Sequence, residues 1–141
     1  MEMNKKNIYR ILDANLNRAR EGIRVTEEVA RLYFDDAELS ARFKKLRHEL
    51  TRVAKSNFDQ KKLLSFRDSE KDVGAETMGG LEKKRTDLDS VVQANLRRSQ
   101  EATRVLEEFG KLISPDSAKS FKKIRFKLYT LEQKMLGLLK R

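Results

Sequence analysis

Two stretches of the chain repeat one pattern of asparagine, arginine and glutamate, residue types that can together bind a phosphorylated ligand. ANLNRAREGIRVTEE covers residues 14–28, and ANLRRSQEATRVLEE covers residues 94–108. Between residues 11–32 and 91–112, ten of 22 aligned positions are identical. Planar guanidinium groups match phosphate oxygens in pairs, whereas carboxylates can hold a metal ion or accept a bond from an amino group. Candidate anion-binding residues therefore occur twice.

Helical periodicity places Arg18 and Arg98 among apolar neighbours, at about 100° per residue. An arginine inside an apolar stripe needs a partner, because burying a lone charge is costly. Glu21 and Glu101 lie next to these arginines, so we expect two buried ridges that face a common cavity about a twofold axis. The alternative is structural, since buried Arg–Glu pairs can simply lock helices in register. The two ridges comprise Asn15, Arg18, Glu21, Arg24 and Glu28, and Asn95, Arg98, Glu101, Arg104 and Glu108.

Three other titratable positions are expected to have no catalytic role. Glu27 and Glu107 fall on the opposite flank of their helices, where we expect them to be solvated or paired within the helix. His48 is the only histidine, and its counterpart in the repeat is Phe126. That pairing favours a packing role for His48 over proton transfer.

Between the two copies, the stretch RDSEKDVG starts at Arg67 and brings several acidic residues close together. Closely spaced carboxylates can bind Mg²⁺ through their oxygens, so Asp68 and Asp72 are candidate metal ligands. The spacing does not fit an EF-hand, and a polar turn would look the same.

The surrounding sequence predicts four helices. The first covers about residues 7–33, and the second follows a turn in which Asp35 or Asp36 can cap its start. The apolar stripe predicted for the first helix consists of Leu12, Leu16, Ile23 and Ala30. Thr86 of TDLD is the expected cap of the third helix, and Ser114 of SPDS the expected cap of the fourth.

A second repeated block strengthens the case for duplication. FKKLRHEL begins at Phe43 and FKKIRFKL at Phe121, with five of eight positions identical. Short turns join the first helix to the second and the third to the fourth, so each half is predicted to be a helical hairpin. We therefore predict an all-α, four-helix bundle of two tandem-duplicated hairpins with a long crossover loop. The predicted organisation is one domain (1–141), with a first hairpin (7–58), a crossover (59–86) and a second hairpin (87–141).

Charge and composition favour an anionic partner. The net charge is +10 and the pI is about 9.9. There is no cysteine, which excludes disulfides and thiolate chemistry, and no apolar run approaches the roughly 20 residues of a membrane span. The N-terminus lacks the apolar core of a signal peptide, so we expect a cytoplasmic protein without a membrane partner. Glycine-rich phosphate loops are absent, so a nucleotide site would be built from side chains.

The chain resembles the alternative hydroxymethylpyrimidine phosphate kinase family, whose helical domain is often fused ahead of thiamine-phosphate synthase. The resemblance lies in ILDANLNRAREGIRVTEEVARL, FKKLRHEL, RDSEKDVG and VVQANLRRSQEATRVLEEFGKL. It covers about residues 7–113, and the last helix more loosely. It implies a phosphotransferase of thiamine biosynthesis that converts hydroxymethylpyrimidine phosphate to its diphosphate, with ATP as donor and Mg²⁺ as cofactor.

The resemblance also carries residue roles onto the matched motifs. Arg18, Glu21, Arg98 and Glu101 are the implied catalytic residues. Asp68 and Asp72 are the implied Mg²⁺ ligands. The implied substrate-binding residues are Asn15, Arg24, Glu28, Arg67, Asn95, Arg104 and Glu108.

Two other functions remain open. The chain ends at Arg141 without a synthase domain, so it could be a non-catalytic helical domain that docks on a separate thiamine-phosphate synthase. A basic nucleic-acid-binding helical module is the other alternative. It is disfavoured because lysines are spread over every segment and Phe43 and Phe121 fall on core stripes. We expect a homo-oligomer, namely a dimer.

Overall fold

The computed structural model describes residues 1–76 and 86–141, which form five helices. Neither range contains a strand, which confirms the predicted all-α class. Residues 77–85 of the predicted crossover lie outside the described residues. Within the described ranges, every helix is too short or too polar to span a bilayer. The helices are α1 (Lys5–Glu28), α2 (Ala37–Asn57), α3 (Gln60–Ser65), α4 (Leu88–Gly110) and α5 (Ser117–Leu139).

Acidic side chains cap two of the long helices. Asp36 accepts a hydrogen bond from the Leu39 N–H at 2.9 Å, so the predicted cap of α2 is confirmed. The predicted Thr86 cap is wrong, because Asp87 accepts from the Ser90 N–H at 2.7 Å. This backbone hydrogen bond lowers the pKa of the Asp87 carboxyl, since it favours the charged form.

The start of α5 also differs from the prediction. The hydroxyl of Ser114 donates to the Asn57 side chain at 2.6 Å, and its carbonyl accepts from the Ser117 N–H at 3.0 Å. A turn therefore comes first and α5 begins at Ser117, so Ser114 does not cap it. The end of α1 is close to the prediction, because a π-helical turn extends it over Val29–Tyr33.

The core lies between the four long helices. Each of them packs mainly against two others: α1 against α2 and α4, and α5 against α4 and α2. The stripes predicted from periodicity are buried, including Phe43 and Phe121. The predicted stripe positions of the first helix, all buried, are Leu12, Leu16, Ile23 and Ala30.

Helices α1 and α4 run antiparallel and approach closely at their middles. The hydroxyl of Ser99 donates to the Ala19 carbonyl at 3.3 Å. A Cβ atom on Gly22 would lie 2.8 Å from the Asn95 carbonyl oxygen, so only glycine allows the observed spacing. At one end of the pair, Tyr9 and Gly110 both lie against the segment that follows α2.

In each hairpin, an equivalent buried ion pair joins the two helices. Arg47 on α2 binds Glu27 on α1 through two hydrogen bonds of 2.9 and 3.2 Å. The equivalent Arg125 on α5 binds Glu107 on α4, also through two bonds. Glu27 and Glu107 are only 4% and 7% exposed, so the expectation of solvated carboxylates is wrong. These two pairs are therefore the buried Arg–Glu pairs that hold the helices in register, the alternative raised for the ridges.

His48 lies on the outer face of α2 and is exposed. Its counterpart Phe126 is also exposed. The predicted packing role of His48 is therefore wrong, because both side chains lie beside the core stripe and are exposed to solvent.

Replacing Gly22 with alanine should destabilise the protein by about 1–3 kcal/mol, the usual cost of overpacking a close contact. The added methyl group would press on the Asn95 backbone carbonyl, which cannot move without shifting α4. Urea unfolding followed by circular dichroism measures the change.

Gly137→Ala is the matched control. A Cβ atom at Gly137 meets nothing within 4 Å, and the residue lies inside α5. We expect a gain of about 0.5–1 kcal/mol, because alanine is the better helix former. Equal losses in both variants would show that the α1–α4 contact is not tight at Gly22.

Candidate functional site

A groove of about 750 Å³ lies between the outward face of α1 and residues 67–72. Both cationic and anionic side chains line it, together with three asparagine amides. Six of the residues predicted from the sequence are brought together here, namely Asn15, Arg18, Glu21, Arg67, Asp68 and Asp72.

Arg18 projects from α1 into this groove and is exposed, so the expectation of a buried arginine is wrong. The core stripe of α1 passes through Leu16 and Ala19 instead. The apolar residues beside Arg18, such as Ile11, form a wall of the groove. Arg18 Nη1 donates to Asn15 Oδ1 at 3.1 Å, and Asn15 Nδ2 donates to the Ile11 carbonyl at 2.8 Å. Asn15 therefore holds Arg18 in place.

The opposite wall is fixed by an ion pair between Arg67 and Asp13. Arg67 Nε and Nη2 donate to the two Asp13 oxygens at 2.6 and 2.7 Å. The hydrogen bond to Asp13 raises the pKa of Arg67. Asp13 is 93% buried on α1, so its charge requires this partner. The pair ties the crossover segment to α1.

Tyr9 positions the segment that carries Arg67. Its hydroxyl accepts a hydrogen bond from the Asp59 N–H at 3.3 Å. Its ring meets Phe66 edge-on, with 6.1 Å between centroids, and lies 5.9 Å from Lys62 Nζ. The short helix α3 is thus held against the start of α1, which places residue 67 beside Asp13.

The acidic residues of the groove could hold a metal ion only together with a ligand. Asp68 and Asp72 each use one carboxylate oxygen to accept a turn N–H, from Lys71 and Gly74. Among residues 1–76 and 86–141, no three acidic or histidine side chains come close enough to hold a metal ion. Mg²⁺ is often bound by one or two carboxylates plus substrate phosphates. Asp68 and Asp72 fit that arrangement.

The second copy of the motif does not line this groove, whose described walls come from α1 and residues 67–72. This groove is therefore not the common cavity that both ridges were predicted to face. Asn95 and Arg98 lie half-buried on α4, and Glu101 is exposed. Asn95 Nδ2 donates to the Val91 carbonyl at 2.8 Å, as Asn15 does to Ile11. The predicted ligand roles of these residues stay predictions.

The outer ends of both ridges form surface ion pairs. Arg24 and Glu28 approach to 2.8 Å, and Arg104 and Glu108 to 3.0 Å. Lys111 also donates to Glu108 and lowers the pKa of that carboxyl. Both arginines are more than half exposed, so these pairs add little to stability. Their predicted role in substrate binding stays a prediction.

Five polar residues of the groove were not predicted from the sequence, namely Asn7, Arg10, Asp13, Asn17 and Ser69. The prediction rested mainly on residue types shared by both copies. Arg10, Asp13 and Asn17 are not shared, because their counterparts in the second copy are Ser90, Gln93 and Arg97. The available signal was a charged residue on the first helix that is present in only one copy, as Arg10 and Asp13 are.

Replacing Asp13 with asparagine should lower the free energy of unfolding by about 1–2 kcal/mol. This is less than the contribution of two fully buried charge-assisted hydrogen bonds, because the Arg67 side chain is 41% exposed. The neutral amide keeps the shape of the side chain but cannot accept both bonds of the arginine fork. Urea unfolding measures the loss.

Glu38→Gln is the matched control, because Glu38 and Arg42 form an ion pair of similar length, 2.8 Å, on the surface. Its loss should stay below about 0.5 kcal/mol. Equal effects at both sites would show that Asp13 does not anchor Arg67.

Comparison with known proteins gives a consistent result. A sequence profile described as the ThiD2 family matches residues 10–134. The chain is 44% identical over 130 residues to a thiamine-phosphate synthase of Nostoc punctiforme, and 45% identical over 130 residues to one of Synechocystis. A thiamine-phosphate synthase of Rhodopirellula baltica is 42% identical over 137 residues.

These alignments cover 92–94% of this chain but only 36% of each relative, so the chain spans about a third of their length. No solved structure matches the chain. The profile covers nearly all of α1 to α5, including every residue of the groove except Asn7. The resemblance seen in the sequence is therefore confirmed, and the chain belongs to the ThiD2 family.

Proposed function

We propose that this domain is a kinase that phosphorylates hydroxymethylpyrimidine phosphate to its diphosphate, with ATP as the donor. The observation that carries the proposal is the groove on α1, where Arg18 and Arg67 lie opposite carboxylates and amides. Its volume falls within the range of about 300–1,000 Å³ typical of small-molecule sites. The related thiamine-phosphate synthases support a role in thiamine biosynthesis.

The proposed reaction balances without an added base. A phosphate oxygen of the pyrimidine substrate attacks the γ-phosphorus of ATP. The bond between that phosphorus and the bridging oxygen breaks, and ADP leaves with the bridging oxygen and its electrons. When the substrate phosphate is a dianion, no proton has to be removed. The protein must then position two anions and offset their repulsion.

Arginines of the groove are suited to that task. Arg18 is oriented by Asn15, and Arg67 is oriented by Asp13. Guanidinium groups held in this way can donate to phosphate oxygens without first losing conformational freedom. We assign Arg18 to the transferred group and Arg67 to the substrate phosphate.

Carboxylates of the groove are assigned to metal binding and to recognition of the pyrimidine. Asp68 and Asp72 would hold Mg²⁺, which when bound offsets the charge of the phosphate oxygens. Glu21, exposed on α1, would accept a hydrogen bond from the amino group of the pyrimidine, as acidic side chains do from the amine of cytosine. Arg98 and Glu101 are proposed to contribute from α4, on the strength of their identity with the first copy.

The kinase function predicts that Arg18→Ala lowers kcat/KM by about 100-fold, the usual effect of removing one donor to a transition-state oxygen. The assay measures ADP release by the purified chain with ATP and Mg²⁺, with and without hydroxymethylpyrimidine phosphate. Circular dichroism should be unchanged, because Arg18 is exposed and outside the core.

Arg52→Ala is the matched control, since Arg52 is an exposed arginine of α2 that does not line the groove. It should retain wild-type turnover. Arg98→Ala, measured in parallel, decides whether α4 contributes. No pyrimidine-dependent ADP release from the folded wild-type chain would contradict the kinase function and leave docking on a synthase as the explanation.

A further inference from the structure

A second, smaller cavity of about 320 Å³ adjoins the groove at the start of α1. The two share part of their lining, namely Asn7, Arg10, Arg67 and Asp68. Arg10 and Arg67 therefore stand at the boundary between them. A molecule in each cavity would meet the other at these two arginines.

The smaller cavity is suited to a polyanion. Lys6, Arg10 and Arg67 contribute three cations to its lining, against one carboxylate, that of Asp68. The charge of Arg67 is matched by Asp13, but Asp13 does not line this cavity. The first turn of α1, which carries Lys6, adds the partial positive charge of a helix N-terminus.

Arg67 is held so that it can serve both cavities. Its Nε and Nη2 atoms form the fork to Asp13, and Nη1 takes no part in that fork. The N–H groups of Nη1 are therefore available to an anion at the boundary. The ring of Tyr9 packs edge-on against Phe66, the residue before Arg67, and so helps to position the backbone of Arg67.

From these observations we propose that the smaller cavity binds the polyphosphate of the nucleoside triphosphate donor, and that the larger groove binds the pyrimidine acceptor. The γ-phosphoryl group then passes from ATP to the substrate phosphate at the boundary of the two cavities, where Arg67 binds the substrate phosphate and Arg10 offsets the charge of the donor. Asn15, Asn17 and Glu21, which could recognise a heterocycle, line the larger groove and not the smaller cavity. The assignment of the two ligands rests on the proposed kinase function.

Neighbouring lysines provide a sharp test, because Lys6 lines the smaller cavity and Lys5 lines neither. Both are exposed, so neither substitution should disturb folding. Calorimetry measures the Kd of ATP, inorganic tripolyphosphate and hydroxymethylpyrimidine phosphate for wild type, Lys6→Ala and Lys5→Ala.

We expect Lys6→Ala to raise the Kd of ATP and of tripolyphosphate by about tenfold, the effect of one lost charge-assisted hydrogen bond. The Kd of the pyrimidine phosphate should not change, and Lys5→Ala should match wild type. Equal effects of the two lysines would overturn the assignment. A raised Kd of the pyrimidine phosphate in Lys6→Ala, with an unchanged Kd of tripolyphosphate, would also overturn it.

Turnover separates this proposal from the kinase function itself. ADP release with an unchanged KM for ATP in Lys6→Ala would leave the kinase function standing and overturn the subsite. Tripolyphosphate binding that depends on Lys6, without turnover in the wild type, would support the polyphosphate subsite and contradict the kinase function. A wild-type chain that binds no tripolyphosphate would overturn the subsite.

Discussion

The close approach of α1 and α4 is the constraint on which the other features depend. Gly22 leaves room for the Asn95 carbonyl, and Ser99 bonds to the Ala19 carbonyl where the helices meet. This contact turns one face of α1 inward and leaves the face with Arg18 outward. The candidate site is therefore a surface groove on α1, whose arginines are accessible to an anionic ligand.

The duplicated sequence serves two purposes that the structure separates. Glu27 and Glu107 bind Arg47 and Arg125 in equivalent positions, so this part of the repeat joins α1 to α2 and α4 to α5. The described lining of the groove, in contrast, includes repeat residues of the first copy only. Asp13 is buried and binds Arg67 of the crossover. Its counterpart in the second copy, Gln93, is exposed. This asymmetry is what the proposed reaction would require, because its two ligands differ.

Periodicity predicted the elements well and the exposure of charged residues poorly. The stripes through Leu12, Leu16 and Ile23 are buried as expected, because only one face of each helix can reach the core. Arg18 and Glu27 were assigned to the wrong sides, since a wheel shows which residues are neighbours but not where the partner helices lie. Of the two predicted candidates Asp35 and Asp36, Asp36 caps α2. Asp87, and not the predicted Thr86, caps α4.

The sequence alone determined the all-α class, the duplication, the core stripes and the family, since each of these follows from local spacing or from matched motifs. It also indicated six of the 13 residues that line the groove. Only the tertiary structure decided that Asp13 meets Arg67, 54 residues away, and that Lys6 and Arg10 line one cavity with Arg67. Such contacts depend on how helices pack and on the path of the crossover. Neither is encoded in the periodicity of a single helix.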